Sequence, residues 1–173
     1  WQKPLLTLLA AVPLMVVQAG TSTMLIPFLG RVDVGLLYPL LFVPIGIIGA
    51  SNMVNMLAGF NGAETGMGVI YIGMLGLYAY VNNRYSAAAI AGITVFALLA
   101  FYYYNKVPAK ILPGDSLTYL LGSILVTVAV LGNIERAALI VSIPFFIEFI
   151  LKARGKFKKK SIGKLENGKI KSS

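Results

Sequence analysis

Ser86-Ala-Ala-Ala-Ile-Ala-Gly-Ile-Thr-Val-Phe-Ala-Leu-Leu-Ala-Phe-Tyr-Tyr-Tyr104 contains no charged residue and no proline. At a rise of about 1.5 Å per residue, a helix of this length spans the ~30 Å hydrocarbon layer of a bilayer. Its tyrosines cluster at one end, where a membrane–water interface favours aromatic side chains. Working outward, comparable apolar runs lie at about 4–20, 36–57, 66–82, 117–133 and 136–152. Hydrophobic residues make up 58% of the 173, charged residues 12%, and the mean hydropathy is +0.82. Soluble domains carry about 25% charged residues, so a soluble fold is excluded. The expected fold is all-α, a polytopic membrane bundle with about six transmembrane helices. Between the first two runs, the stretches flanking Gly30-Arg31 predict a small extracytoplasmic β-hairpin. Asn82-Asn83-Arg84 and Gly132-Asn133-Ile134-Glu135 predict tight turns between neighbouring helices.

Six spans place Lys3, Lys106, Lys110, Lys152, Arg154, Lys156, Lys158, Lys159, Lys160, Lys164, Lys169 and Lys171 on one face of the membrane. Arg31, Arg84 and Arg136 fall on the other. Basic loops stay in the cytoplasm, so the first face is expected to be cytoplasmic. The net charge of +9 is mostly this asymmetry; it reports topology, not nucleic-acid binding. Residues 1–152 read as the membrane core and 153–173 as a basic cytoplasmic loop or tail. That tail reads as a topology anchor contacting anionic membrane lipid, or as a phosphate-gripping loop. The chain has no Cys and no His, so thiolate chemistry and imidazole acid–base catalysis are excluded.

The acids are Asp33, Glu64, Asp115, Glu135, Glu148 and Glu166. Asp33 and Glu135 are expected in solvent on the outer face. Glu148 is expected to pair with Lys152 at i, i+4. Two polar clusters fall at cytoplasmic helix ends. The first is Ser51-Asn52-Met-Val-Asn55-Met-Leu-Ala-Gly59-Phe-Asn61-Gly62-Ala-Glu64-Thr-Gly66. Asn52 and Asn55 share a helix face, and the glycines allow a sharp turn close to a ligand. Helix–helix hydrogen bonding and an ordinary Asn-Gly turn account for the same pattern. The second is Pro108-Ala-Lys110-Ile-Leu-Pro113-Gly114-Asp115-Ser116. Asp115 or Ser116 is placed to cap the next helix. Alternatively, Asp115 and the Asn55 side-chain oxygen are hard ligands of the kind Mg²⁺ takes.

The two clusters together resemble signature loops of the polyprenyl-phosphate N-acetylhexosamine-1-phosphate transferases, a glycosyltransferase-4-like family. Within it they resemble the eukaryotic and archaeal dolichyl-phosphate N-acetylglucosamine-1-phosphotransferase branch. The family pattern Asn-x-x-Asn-hydrophobic-hydrophobic-Ala-Gly-x-Asn-Gly-x-Glu matches from Asn52 to Glu64. A later Pro-(Ala/Ser)-(Lys/Arg)-hydrophobic-x-x-Gly-Asp-(Thr/Ser) motif matches Pro108 to Ser116. Trp1-Gln2-Lys3 resembles the segment that follows the family's Asp-Asp motif.

The resemblance implies a Mg²⁺-dependent enzyme, with Mn²⁺ as an alternative metal. It implies transfer of N-acetylhexosamine-1-phosphate, first among them N-acetylglucosamine-1-phosphate, from a UDP-sugar to a polyprenyl or dolichyl phosphate. UMP is released, in the first membrane step of glycan assembly. Asp115 is the implied principal metal ligand, with Asn55 beside it. Asn61 and the Gly59 backbone read the uracil, Asn52 supports the loop or touches the donor, and Glu64 braces it. Lys3 holds phosphate at the lipid-facing entrance, and Lys110 adds to the phosphate field. A homodimer is implied by likeness alone. The family's Asp-Asp pair lies upstream of the segment matched by Trp1, so the chain reads as a fragment, expected to be inactive by itself. No sugar-recognition motif is recognisable in the Lys-rich tail. A non-catalytic membrane scaffold, or a transporter fragment, is the competing reading.

Overall fold

A computed structural model describes residues 6–20, 23–26, 30–57, 62–155, 164–166 and 169–171. Among these residues seven helices follow one another: α1 (Thr7–Val16), α2 (Tyr38–Met56), α3 (Ala63–Val81), α4 (Tyr85–Asn105), α5 (Gly114–Gly132), α6 (Glu135–Val141) and α7 (Ile143–Arg154). Between α1 and α2, β1 (Thr23–Ile26) and β2 (Gly30–Asp33) pair antiparallel, with Thr23 opposite Asp33 and Ile26 opposite Gly30. A hairpin is expected here from the sequence, but Gly30 and Arg31 lie inside β2 rather than between the two strands. A second antiparallel ribbon, β3 (Lys164–Glu166) with β4 (Lys169–Lys171), lies in the tail.

The molecule is a helical membrane bundle. Among the described residues, three helices are long and apolar enough to cross a bilayer: α2 and α5 with 19 residues each and α4 with 21. They correspond to three of the six expected spans. α3 is also 19 residues long, but Glu64, Thr65, four glycines and three tyrosines dilute its apolar character. Among the described residues the other two expected spans are shorter, and each contains a proline. In place of 4–20 stands the ten-residue α1, which opens with a 3₁₀ turn at Thr7–Ala11 before Pro13. In place of 136–152 stand two helices that meet at Ser142, with Pro144 in the first turn of the second. A proline has no N–H to donate to the carbonyl four residues back, and its ring crowds that carbonyl. Pro39 and Pro44 act likewise at the start of α2, whose first turn, Tyr38–Phe42, is π-wound.

Small residues set the packing. A Cβ on Gly76 of α3 would lie 2.7 Å from the Ala91 Cβ of α4, and one on Gly68 would lie 3.0 Å from Leu121 of α5. Such close approach is how helices associate where lipid is as apolar as the side chains. The principal core joins α2 to α7 around Val54, Ile72, Leu75, Leu121, Leu125 and Phe145. A smaller one seats α1 and the start of α2 against Val130. Large apolar side chains also point outward; Ile93 and Phe96 of α4 are 71% and 74% exposed. A lipid environment accommodates them.

Turns form where the sequence placed them. Asn83 (φ +60°) reverses the chain between α3 and α4, and Asn133 (φ +50°) between α5 and α6. Asp33 is exposed and accepts a hydrogen bond from the Gly35 N–H at 3.0 Å. Glu135 departs from its expected place in open solvent: it is half-buried and accepts the Tyr38 hydroxyl. That bond ties the start of α2 to the start of α6, a pairing between distant segments that local sequence does not announce.

Candidate functional site at one end of the bundle

The two polar clusters meet because α2 and α5 cross almost in backbone contact. A Cβ on Gly122 would fall 2.4 Å from the Ser51 Cα, so only glycine permits the crossing. Ser51, fully buried, lies on the other side of that contact. Its hydroxyl is 3.1 Å from the Tyr119 carbonyl and 3.0 Å from the Ser123 hydroxyl. One turn further along α2 comes Asn55. Its Oδ1 accepts the Thr118 hydroxyl at 2.6 Å, and its Nδ2 donates to the Tyr119 hydroxyl at 3.4 Å. The Thr118 oxygen is also 2.9 Å from the Asp115 carbonyl. Thr118 has one hydrogen to give, and its shortest contact is to Asn55. The amide of Asn55 is thus fastened to the helical turn that carries Asp115.

That turn opens α5. Pro113 holds the N-cap position, Gly114 takes φ +61°, and Asp115 lies inside the first turn. The N-cap position expected for Asp115 or Ser116 thus falls to Pro113, with both residues inside the helix. An acid in this position gains from the positive end of the helix dipole. Its side chain is exposed, whereas Thr118 below it is fully buried.

A second tie holds α3 and the 106–113 loop to the same end. Thr65 donates to the Asn105 Oδ1 at 2.8 Å, and Asn105 Nδ2 donates to the Ile111 carbonyl at 2.8 Å. Both side chains are fully buried, so this pairing offsets the cost of removing two polar groups from water. Gly62 precedes α3 with φ +79°, and a Cβ there would press the Lys106 Cα at 3.3 Å. Left-handed backbone costs a non-glycine residue about 1–2 kcal/mol. Gly62→Ala is expected to lower the thermal midpoint of the protein in detergent. An unchanged midpoint would show that the turn relaxes freely.

On the opposite flank of the α2–α5 pair, an apolar groove of about 320 Å³ runs between α2, α5 and the broken α6–α7 pair. Gly46, Gly49, Met53, Leu125, Ala129 and Phe145 line it, and the Tyr38–Glu135 bond stands at its far end.

Residues 1–133 match glycosyl transferase family 4. The chain belongs to that family. Among its relatives is a Saccharolobus solfataricus protein provisionally named UDP-N-acetylglucosamine–dolichyl-phosphate N-acetylglucosaminephosphotransferase. It is 40% identical over 167 residues, covering 94% of this chain and 51% of the relative. A phospho-N-acetylmuramoyl-pentapeptide-transferase of Lactiplantibacillus plantarum is 36% identical over 151 residues, covering 86% of this chain and 47% of the relative. A glycosyltransferase of Methanocaldococcus jannaschii, also provisionally named, is 38% identical over 116 residues, 67% of this chain and 38% of the relative. The chain spans about half the length of the first two relatives.

The site residues expected in this glycosyl transferase family 4 chain divide into three groups. Asn55 and the Asp115 turn are brought together, as described. Asn52 is half-buried and donates to the Ile48 carbonyl of its own helix at 2.7 Å, which braces α2 just before Asn55. Glu64 is buried in the first turn of α3, consistent with a bracing part. Lys110 is exposed on the loop, its N–H bonded to the Tyr104 carbonyl at 2.8 Å. Lys3, Gly59 and Asn61 lie outside the described residues.

Four participants were missed by the sequence reading. Thr118 and Tyr119 follow the second motif, Asn105 precedes it, and Thr65 lies within the first cluster beside Glu64. Polar side chains at the margins of apolar runs were the available signal. Their partners come from other helices, and no local spacing specifies those.

The donor set can be tested against Mg²⁺. Among the described residues no group of three or more His, Cys, Asp or Glu comes together. An all-protein cage is therefore absent there. Mg²⁺ more often takes one or two carboxylates and completes its shell with substrate phosphates and water. One exposed carboxylate on the turn bonded to an amide oxygen fits that use.

Proposed function

We propose that the chain forms the donor-binding part of an enzyme that transfers N-acetylhexosamine-1-phosphate from a UDP-sugar to a polyprenyl or dolichyl phosphate. N-acetylglucosamine-1-phosphate is the favoured group. The observation that carries this reading is the Asn55–Thr118 hydrogen bond at 2.6 Å, which fastens the first polar loop to the Asp115 turn. A scaffold has no need to unite these two loops. Family membership supports the same chemistry.

In the reaction, an oxygen of the lipid phosphate attacks the sugar-bearing phosphorus of the donor. The bond from that phosphorus to the bridging oxygen breaks, and UMP departs with that oxygen. Negative groups must approach one another, so positioning and charge neutralisation dominate the barrier. Asp115 and the Asn55 amide oxygen are the proposed holders of Mg²⁺, or Mn²⁺ in its place. Bound there with the donor diphosphate, the metal supplies charge neutralisation. Asn55 keeps its oxygen directed because Thr118 and Tyr119 grip both ends of its amide. Asn52 and Glu64 brace the two sides of the donor loop. Gly59 and Asn61 are assigned to the uracil, Lys3 and Lys110 to phosphate. The groove beside α2 has the apolar lining a polyisoprenoid tail requires.

The active end is assigned to the cytoplasm, with further spans, a membrane core over 1–152, and a basic tail over 153–173 lying on anionic lipid. The test is UMP formation by the full-length protein in membranes supplied with Mg²⁺, UDP-N-acetylglucosamine and a polyprenyl phosphate. UMP is expected only when all three are present. UMP that accumulates equally without the lipid phosphate, or none under any condition, refutes the reading.

A further inference from the structure

Lys152 lies on α7, far in sequence from either polar loop, yet it reaches the end of α2. Its ammonium donates to the Met56 carbonyl, the residue next to Asn55. Glu148, one turn back on α7, pairs with the same ammonium at 3.3 Å. Both side chains are largely shielded from solvent, at 17% exposed for Lys152 and 27% for Glu148. The last carbonyls of a helix lack intrahelical partners and carry the negative end of its dipole, so a cation held there is favourable. The i, i+4 pairing with Glu148 was legible in the sequence; the contact with α2 was not.

We propose that Lys152 is a positioning residue for the donor site, capping the C-terminal end of α2 and so holding in place the turn that carries Asn55. This rests on the transferase reading above. Glu148 holds the ammonium on target. The tie also has a mechanical consequence. α7 is a separate helix because Pro144 breaks the chain at Ser142, and Phe145 at its start lines the apolar groove. One short helix therefore touches the groove with its first turn and the end of α2 with its last. Lys152 is the link through which the position of that helix is felt at Asn55.

The experiment compares wild type, Lys152→Met, Lys152→Arg and the Glu148→Gln/Lys152→Met double variant, each in the full-length protein in membranes. The double variant removes both charges, which guards against a fold lost only because Glu148 is left unpaired. The KM for UDP-N-acetylglucosamine is expected to rise on the order of tenfold in the Met variants, as loss of a charge-assisted hydrogen bond predicts. The KM for polyprenyl phosphate is expected to stay within about twofold, and Arg to restore most of the donor KM, because a guanidinium still donates to the carbonyl. An unchanged donor KM in the double variant overturns the proposal, as does an equal rise in both KM values, which marks general loosening. No UMP from wild type removes the transferase reading and this proposal together; UMP from wild type with an unaltered variant removes this proposal alone.

Discussion

Asp115→Asn is expected to lower sugar-phosphate transfer by about 10²–10³-fold while leaving the protein folded. The substitution keeps the size of the side chain and removes its charge. Loss of one preorganised electrostatic partner at a reacting centre costs about that much in rate. The effect on stability is bounded by the position of the residue. Asp115 is exposed in the first turn of α5, where an acid's interaction with the helix dipole contributes about 0.3–1 kcal/mol. A rate loss of 10²–10³ corresponds to about 3–4 kcal/mol of activation free energy, so the two effects separate cleanly. The measurement is UMP release against Mg²⁺ concentration for both proteins, with a thermal midpoint for each. A weakened metal site predicts that the Mg²⁺ dependence shifts to higher concentration. Wild-type activity with an unshifted Mg²⁺ dependence would remove Asp115 from the metal-binding role.

Different parts of the molecule were legible in the sequence to different degrees. The run 86–104 needed only length and the absence of charge, because a bilayer imposes both on a single helix. α4 accordingly appears within a residue of its expected bounds. The runs 4–20 and 136–152 satisfied composition but contained Pro13 and Pro144, and hydropathy does not see a missing N–H. The loops at 52–66 and 108–116 were legible as motifs because their residues are contiguous. What brought them together was not. Thr118 gripping Asn55, Asn105 bridging Thr65 to Ile111, and Lys152 reaching Met56 are all contacts between helices, set by rotation and crossing distance. Glycine hinted at this: Gly122 looks like one more small residue in an apolar run, and only the crossing reveals that a backbone occupies the space of its missing side chain.

Gly122→Ala is the second large effect, and it acts at a distance from the proposed chemistry. The added methyl would lie 2.4 Å from the Ser51 Cα, 2.5 Å from the Ser51 N and 2.6 Å from the Ala50 carbonyl carbon. These are backbone atoms of α2, so no rotamer change relieves the overlap. Carbon atoms settle near 3.5–4.0 Å apart, so α2 and α5 must separate by about 1 Å or more. Overpacking of this kind costs about 1–3 kcal/mol. The bonds that cross the same seam, Ser51 to Tyr119 and Ser123 and Thr118 to Asn55, lengthen with it. A displacement of about 1 Å of a positioned group can lower a rate ~10²-fold. Transfer is therefore expected to fall on the order of 10²-fold, with a lowered thermal midpoint. Gly92→Ala is the matched control, because a Cβ on Gly92 meets nothing within 4 Å. Replacing glycine by alanine in a helix interior stabilises by about 0.5–1 kcal/mol, so this variant should match or slightly exceed the wild-type midpoint and keep its activity. If Gly122→Ala behaves like Gly92→Ala, the α2–α5 crossing does not set the geometry of Asn55 against the Asp115 turn, and the two loops are held in register by something other than the helices that carry them.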